Sequence, residues 1–435
     1  MAQFSTDRNA LLNNNKDIYE VVMVSGLAGP SVYVPAGNLN TASDAFGRLR
    51  VSEPHTLFDS SFRYADSERR WNTAVSGSAT YTFNADQGLM DLDVTDADGD
   101  EIVRQTDRVF GYQPGKSLLV MNTFTMNEAK ANLRQRVGYF TKDNGIYVEQ
   151  DGTTTYFVKR SAVSGSVVNT RIAQSSWNVD KLNGTGPSGE TLDMSKSQIL
   201  WTDFEWLGVG SVRMGFVING QFICCHIFHH ANEITGTYIT TATLSCRCEI
   251  TNTGATSGPS QLKQICSTVL SEGGYNQIGL TRSAVNPLTG KNLTNSVNNP
   301  MVSIRLRSGR TDAVVTPRLI SLYGIQSTAF NYKIIRGGTL DSASVSWVIT
   351  DSNSSVEYDI SATTMTGGTT LYEGIFKGQT SSTVFDLEEE FNHSLQLTRG
   401  IITNDSVGDT LTITCTPTTN NDDAVVSLTW QERTS

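Results

Sequence analysis

Cysteine and histidine, the usual protein ligands of zinc, are concentrated in one stretch of the chain. Side chains alternate along a strand, so Cys224 and His226 would share one face, and Cys246 and Cys248 would share a face of a later strand. Four such ligands on a hairpin can form a tetrahedral zinc site. These four residues are therefore the candidate metal ligands.

Two alternatives remain open for these cysteines: a disulfide between the strands, and packed free thiols. Structural zinc sites usually place paired cysteines on tight turns with about two to four residues between them, whereas these pairs have a one-residue spacing. The general burial preference of cysteine favours packed thiols. No metal or other cofactor is therefore expected.

Two carboxylates, Asp203 and Glu205, are flanked by Trp201 and Trp206 in the sequence WTDFEWLGVG. A pair of carboxylates facing one groove is the catalytic arrangement of glycosidases, and aromatic side chains can line sugar subsites. A single pair is weak evidence in a chain with 43 acidic residues. The alternative is tryptophans in the core and carboxylates at a strand end. The sequence also lacks nucleophile-elbow and phosphate-loop motifs, so we expect no enzymatic activity.

Composition narrows the classes of partner. The formal net charge is −10, and nucleic-acid binding requires a basic surface, so nucleic acid is not an expected partner. The N-terminal residues have neither a basic region nor an apolar core typical of a secretory signal, and no stretch reaches the roughly 18 apolar residues of a membrane span. The sequence therefore predicts a chain with no membrane partner.

Short alternating strands must position these side chains. Asn219-Gly220 separates two alternating runs in RMGFVINGQFICCHIF, and Asp151-Gly152 does the same upstream; both dipeptides are strong hairpin signals. Another hairpin is predicted from residues 79–83 and 90–94. Helical periodicity can be drawn only through residues 17–22 and 127–136, without good caps. The pattern predicts an all-β protein.

Three segments are predicted along the chain. Residues 1–60 are polar and rich in X-Pro steps, which is typical of an extended arm that packs onto something else. Residues 61–330 form a large β-sandwich domain. Residues 331–435 form a smaller β-sandwich, because a second set of alternating strands follows with turns spaced by about 8–12 residues.

The segment FGRLRVSEPHTLFDSSFRY, residues 46–64, resembles a segment of uncharacterised virion structural proteins of tailed bacteriophages, including marine phages and cyanophages. Residues 206–220, WLGVGSVRMGFVING, are similar to a second block of that family. The resemblance covers residues 40–330 and implies a jelly-roll or concanavalin-like first domain. It transfers no catalytic residue.

The resemblance implies a virion component on a tail, baseplate, collar or fibre, assembled in the host cytoplasm, with other virion structural proteins as partners. A homo-oligomer is expected, a trimer if the protein is fibre-like. Capsid decoration, a host-surface glycan-binding module and a glycan depolymerase are the alternatives.

The predicted assembly anchor combines apolar side chains, which bury area, with charged side chains, which set the register. The alternative is that the segment packs on its own domain. The anchor residues are Phe46, Arg48, Leu49, Arg50, Phe58 and Asp59.

Overall fold

The computed structural model describes residues 54–66, 70–276, 278–379, 382–387, 396–397 and 408–433. Over these residues the chain is built from antiparallel β-sheets, which confirms the all-β prediction. The sheets and their cores form two β-sandwiches in succession. Within the described part of the chain, no helix is long and apolar enough to cross a membrane.

The first sandwich contains an eight-stranded sheet. Its strands are β1 (His55–Ser61), β3 (Thr80–Asn84), β4 (Leu89–Val94), β6 (Ser117–Thr125), β11 (Gln198–Phe204), β12 (Val212–Ile218), β13 (Gln221–Phe228) and β15 (Ser260–Glu272). The order is β13-β12-β11-β6-β15-β4-β3, and β1 also pairs with β15. Strand β15 is long enough to hold β4 along its first half and β1 along its second.

A seven-stranded sheet covers the other side of this core. Its strands are β2 (Trp71–Ser76), β5 (Glu101–Thr106), β7 (Leu133–Phe140), β8 (Gly145–Asp151), β9 (Thr154–Ser161), β10 (Val168–Ala173) and β14 (Cys246–Asn252). The order is β10-β9-β8-β7-β14-β5-β2. Inward side chains of both sheets, such as Phe124 and Val137, form one apolar core. Its burial supplies the main driving force for folding this domain.

The second sandwich joins a five-stranded and a six-stranded sheet, with a separate two-stranded ribbon. The five-stranded sheet contains β16 (Leu280–Val285), β17 (Lys291–Leu293), β19 (Val314–Gly324), β26 (Thr383–Asp386) and β28 (Asp422–Arg433). The six-stranded sheet contains β18 (Asn299–Leu306), β20 (Ala329–Arg336), β22 (Val348–Ile349), β23 (Val356–Asp359), β25 (Thr369–Lys377) and β27 (Leu411–Pro417). The ribbon contains β21 (Thr339–Leu340) and β24 (Met365–Thr366). Strand β28 alternates buried and half-buried side chains along its whole length, as a strand with one face in a core must.

The three predicted hairpins are present as β3–β4, β8–β9 and β12–β13. Residues 127–136, through which a weak helical periodicity can be drawn, do not form a helix; residues 133–136 belong to strand β7, which pairs on both sides. Long-range pairing outweighs a weak helical pattern that lacks caps. The other segment with helical periodicity, residues 17–22, lies outside the described residues.

Strand pairing also corrects both predicted domain boundaries. Strand β19 pairs with β28 from Val314 to Gly324, so the chain has already entered the second sandwich before residue 330. The change of partner sheet occurs between β15 and β16, at residues 273–279. At the other boundary, β1 puts residues 55–60 in the first sandwich instead of the arm. Alternation alone could not place either boundary, because strands of both sandwiches share the same period.

Direct contacts join the two sandwiches. Arg433 Nη1 donates a hydrogen bond to the Tyr275 hydroxyl at 2.7 Å, and Nη2 donates to the carbonyl of Tyr112. Gly111 lies beside this guanidinium, and a Cβ built there would stand 3.0 Å from Arg433 Nη1 and 3.4 Å from Val314 Cγ2. The missing side chain therefore lets the sandwiches approach closely.

Candidate functional site

The four candidate zinc ligands do not converge. Cys224 packs on the outer side of the eight-stranded sheet with Leu119 and Trp201, whereas Cys246 and Cys248 lie in the core on β14 of the opposite sheet. In the described part of the chain, no three His, Cys, Asp or Glu side chains are grouped as metal ligands. All six cysteines are free thiols, the third of the alternatives considered. Burial raises the pKa of the Cys248 thiol to about 12.

A β-bulge explains why Cys224 and His226 do not share a face. Met214 is opposite His226 and Gly215 is opposite Cys224, so Cys225 is an extra residue that interrupts the alternation. The predicted shared face is therefore wrong. His226 is 6% exposed, and its Nδ1 accepts a hydrogen bond from the backbone N–H of Asn178 at 3.3 Å.

The carboxylates Asp203 and Glu205 are held inside the protein. Asp203 is fully buried, where it accepts hydrogen bonds from the Ser117 hydroxyl and from Arg213. Glu205 follows the end of β11 and is 9% exposed; its side chain packs against Gly210. Asp203 therefore has the environment of a carboxylate in a buried ion pair.

The two flanking tryptophans have different environments. Trp201 is 1% exposed and packs on the outer side of the sheet. Trp206 is half-buried and lies at a cleft between the sandwiches. Its ring meets that of Tyr112 edge-on, with centroids 6.2 Å apart and planes at 78°. Trp206 is thus the member of the predicted sugar-subsite group that a ligand can contact.

We call this space the junction cleft, and its volume is about 270 Å³. The first sandwich contributes aromatic and hydroxyl groups, and the second contributes charged groups. Its principal residues are Tyr112, Trp206, Thr241, Arg310, Asp312 and Arg433. Apart from Trp206, no sequence pattern indicated the cleft, because its walls come from segments up to about 320 residues apart.

The outer face of the seven-stranded sheet carries a second polar group, which we call the arginine face. It consists of Arg134, Arg136, Arg160, Arg171 and Arg247, with Glu149 and Glu249 between them. Residues directly opposite on neighbouring strands point to the same side, which gathers these charges in one plane. No sequence pattern indicated this face, since its members come from five strands.

Ion pairs connect three of the five arginines of the arginine face, Arg136, Arg171 and Arg247, to its two glutamates. Arg136 donates to Glu149 at 2.6 Å and to Glu249 at 2.9 Å, and Arg247 Nε donates to Glu249 at 2.6 Å. Burial raises the pKa of Glu249, but Arg247 and Arg136 outweigh that effect and hold it at about 2. Arg160 lies over the ring of Tyr147 at 5.1 Å. The buried and interlocked side chains have the geometry of a stiffening network.

Only two of the predicted anchor residues are in the described structure. Phe58 is 3% exposed and packs on Trp71 and Phe110, with ring centroids 5.9 and 5.1 Å away. Asp59 faces solvent, and one of its carboxylate oxygens lies 4.0 Å from Arg70 Nη1. Phe58 therefore packs on its own domain, the alternative that the sequence left open. The other four, Phe46, Arg48, Leu49 and Arg50, lie outside the described residues.

No protein-family model and no curated protein matches the chain. Solved structures with a similar fold include the carbohydrate recognition domain of Emp47p, with 8% identity, coverage of 48% of this chain and 91% of that chain, and a TM-score of 0.31. The CBM2 module of the evolved Dit of Lactobacillus casei BL23 phage J-1 has 8% identity, coverage of 52% and 99%, and a TM-score of 0.33. A putative beta-glucanase from Mycobacterium abscessus has 8% identity, coverage of 49% and 100%, and a TM-score of 0.36. These values are too low to transfer a function to this chain.

Proposed function

We propose that the chain is a structural component of a tailed-phage particle that acts through protein–protein assembly, attached to the tail, baseplate, collar or fibre. The observation that carries the proposal is the segment of residues 46–64, which resembles virion structural proteins and continues into strand β1. Phe58 and Phe62 of this segment are core residues. The described part of the segment, residues 54–64, therefore belongs to the first sandwich.

The joined sandwiches support this proposal physically. Arg336 of the second sandwich donates a hydrogen bond at 2.7 Å to Asp107 of the first, whose carboxylate is 7% exposed. Together with the contacts of Arg433, this pair limits hinge motion between the domains. Two sandwiches that are held rigidly together can keep neighbouring subunits in register in a repeating assembly.

Locating the chain in purified particles tests the proposal. Mass spectrometry would establish whether the chain is present. Electron microscopy of the particles, compared with images of the isolated protein, would locate and count its copies. Copies in a tail, collar or baseplate ring are the expected result, whereas a lattice over the head would make it a capsid decoration protein. Absence from particles would refute a virion role of either kind.

Anchoring is tested with Phe46 and Leu49, two anchor residues that lie outside the described structure. Phe46→Ala and Leu49→Ala are expected to reduce incorporation into particles while the thermal unfolding of the isolated chain stays unchanged. Asp98→Asn, an exposed substitution in the turn after β4, is the control. Normal incorporation of both variants would remove the anchoring role from these side chains.

A second candidate function is recognition of a host-surface glycan, favoured by the half-buried Trp206 in the junction cleft. Aromatic rings bind the apolar face of sugars, and a concave site with a few polar groups fixes their orientation. Binding of the full chain to an array of host-surface polysaccharides tests this candidate, and the absence of binding to any of them would reject it.

A further inference from the structure

We propose that the junction cleft binds one neutral pyranose unit of a saccharide, with Trp206 as the stacking platform and Asp312 as the acceptor for its hydroxyl groups. The ligand class rests on the glycan-recognition candidate, whereas the site is new. The proposed saccharide binding does not depend on where the chain lies in a particle.

The size of the cleft sets the size of the ligand. Small-molecule sites usually have about 300–1,000 Å³, and the cleft, at about 270 Å³, lies just below that range. A single sugar ring is therefore the appropriate occupant, with further units of a chain extending into solvent. A protein segment or an extended polymer would find too little enclosed space here.

The aromatic corner supplies the apolar contact. Trp206 packs edge-on against Tyr112, which fixes the indole without covering it completely, since Trp206 keeps part of its surface exposed. The ring plane of a pyranose carries C–H groups on each face, and such a face can lie on an indole with little loss of side-chain entropy, because the indole is already held.

The charges of the cleft favour a neutral ligand with hydroxyl donors. Arg433 donates to Tyr275 and Tyr112, and Arg310 Nη1 donates to a backbone carbonyl at 2.5 Å, so both guanidiniums already have protein acceptors. Asp312, by contrast, has no hydrogen bond or ion pair within the part of the chain that the structure describes. Its carboxylate only accepts hydrogen bonds, so it pairs well with hydroxyl groups and would repel a carboxylate placed beside it.

The proposed ligand contacts both sandwiches, so its binding should change the thermal stability of the full chain. Trp206 and Tyr112 belong to the first sandwich, and Asp312 belongs to the second. A ligand that binds only when both walls are in place stabilises the joined arrangement of the domains. Saturating sugar should therefore raise the unfolding temperature of the full chain as well as give a binding signal.

The test uses the full chain and a panel of methyl glycosides of glucose, galactose, mannose, rhamnose and N-acetylglucosamine. Saturation-transfer difference NMR detects ligands of this size, for which about a dozen heavy atoms give dissociation constants of about millimolar. At least one glycoside is expected to bind. Asp312→Asn should then weaken binding about tenfold, the loss of roughly one charge-assisted hydrogen bond.

Matched variants separate the cleft from the rest of the surface. Trp206→Phe should also weaken binding, with its packing on Tyr112 retained. Trp347→Phe, a tryptophan over Arg305 in the second sandwich, and Asp98→Asn should bind as the wild type does. Circular dichroism and thermal unfolding of each variant without sugar verify that the fold is intact. Among the described residues, Asp312 has no hydrogen bond or ion pair that Asp312→Asn would break.

The outcomes distinguish the proposals. Loss of binding in Asp312→Asn and Trp206→Phe, with both controls unaffected, supports the cleft. Binding that neither variant alters would overturn the cleft assignment and leave glycan recognition standing at another surface. If no glycoside and no host polysaccharide binds, the cleft and the glycan candidate both fall, while the structural virion role is still decided by the particle measurement.

Discussion

The first sandwich contains two buried imidazoles that are neutral at pH about 7, and lowering the pH to about 5 favours their protonation. His230 is 1% exposed; its Nδ1–H donates to the carbonyl of Gly210 at 2.7 Å, and its ring stacks on Tyr238 at 3.9 Å. Its buried Nε2 has no hydrogen-bond partner in the described part of the chain, so a second proton would be unpaired there. The Nδ1 atom of His226 accepts a hydrogen bond from the backbone N–H of Asn178. A proton added to this Nδ1 would face the N–H of Asn178, so two donors would meet without an acceptor.

The structure gives the size of the effect. Burial lowers the pKa of His226 and of His230 from 6.5 to about 4. Because the folded value is the lower one, the unfolded chain binds more protons, and the free energy of unfolding falls as the pH drops from 6.5 toward 4. At pH about 5 linkage gives a loss of about 2 kcal/mol per imidazole, or about 4 kcal/mol for two independent sites. That is a large part of a typical stability of about 5–15 kcal/mol.

Urea titrations at pH about 7, 6 and 5, followed by tryptophan fluorescence, measure this loss. The pH range in which the two histidines lower stability is well separated from that of Glu249, whose stabilising effect is lost only as the pH falls from 4.5 toward 2. His230→Phe retains an aromatic ring against Tyr238 but cannot titrate. It should lower stability at pH 7 through the lost hydrogen bond to Gly210, and it should reduce the drop between pH 7 and 5 by about half.

His55→Gln is the control, because His55 is exposed on strand β1 and both buried imidazoles remain in that variant. It should keep the wild-type dependence on pH. A wild-type stability that stays constant between pH 7 and 5 would refute the reasoning. So would a His230→Phe variant that loses as much stability over this range as the wild type does.

Three further predictions concern packing and charge. Glu249→Gln leaves two buried arginines without their shared carboxylate and should cost about 3–5 kcal/mol in urea unfolding, whereas Glu357→Gln, which breaks a more exposed pair, should cost under about 1 kcal/mol. Gly215→Ala should prevent normal folding, because a Cβ there would stand 1.9 Å from a backbone oxygen; Gly236→Ala, in open space, should leave the expressed yield and melting temperature unchanged. A thiol reagent should modify Cys266 first in the native chain, since the other five cysteines are buried, and equal rates for all six would contradict this.

Local signals in the sequence predicted local structure well. Asn219 and Gly220 adopt φ values of 51° and 76°, the left-handed conformations that a two-residue type I′ turn needs. The flanking runs therefore pair as expected from Val212 to Phe228. The all-β class follows from many such short runs, each of which is recognisable from a few neighbouring residues.

Features that depend on pairing between distant segments could not be predicted. The bulge at Cys225 is set by how β13 fits β12, and it moves Cys224 and His226 to different faces, which the alternation rule could not foresee. The charges of the arginine face resemble solvated surface charges in the sequence. They are buried because Arg136 on β7 meets Glu249 on a strand more than a hundred residues later.

Strand β1 determines how the anchoring hypothesis must be tested. It pairs with β15 from His55 opposite Ser271 to Ser61 opposite Cys266, so the second half of the segment that resembles phage proteins is part of a central sheet. Removing the Phe58 ring would open a cavity in the core and cost about 3–5 kcal/mol, whatever the chain binds. A Phe58 variant that fails to assemble would therefore report unfolding and not a lost interface. Substitutions before residue 54 leave strand β1 and the Phe58 ring unchanged, so these are the variants with which attachment should be tested.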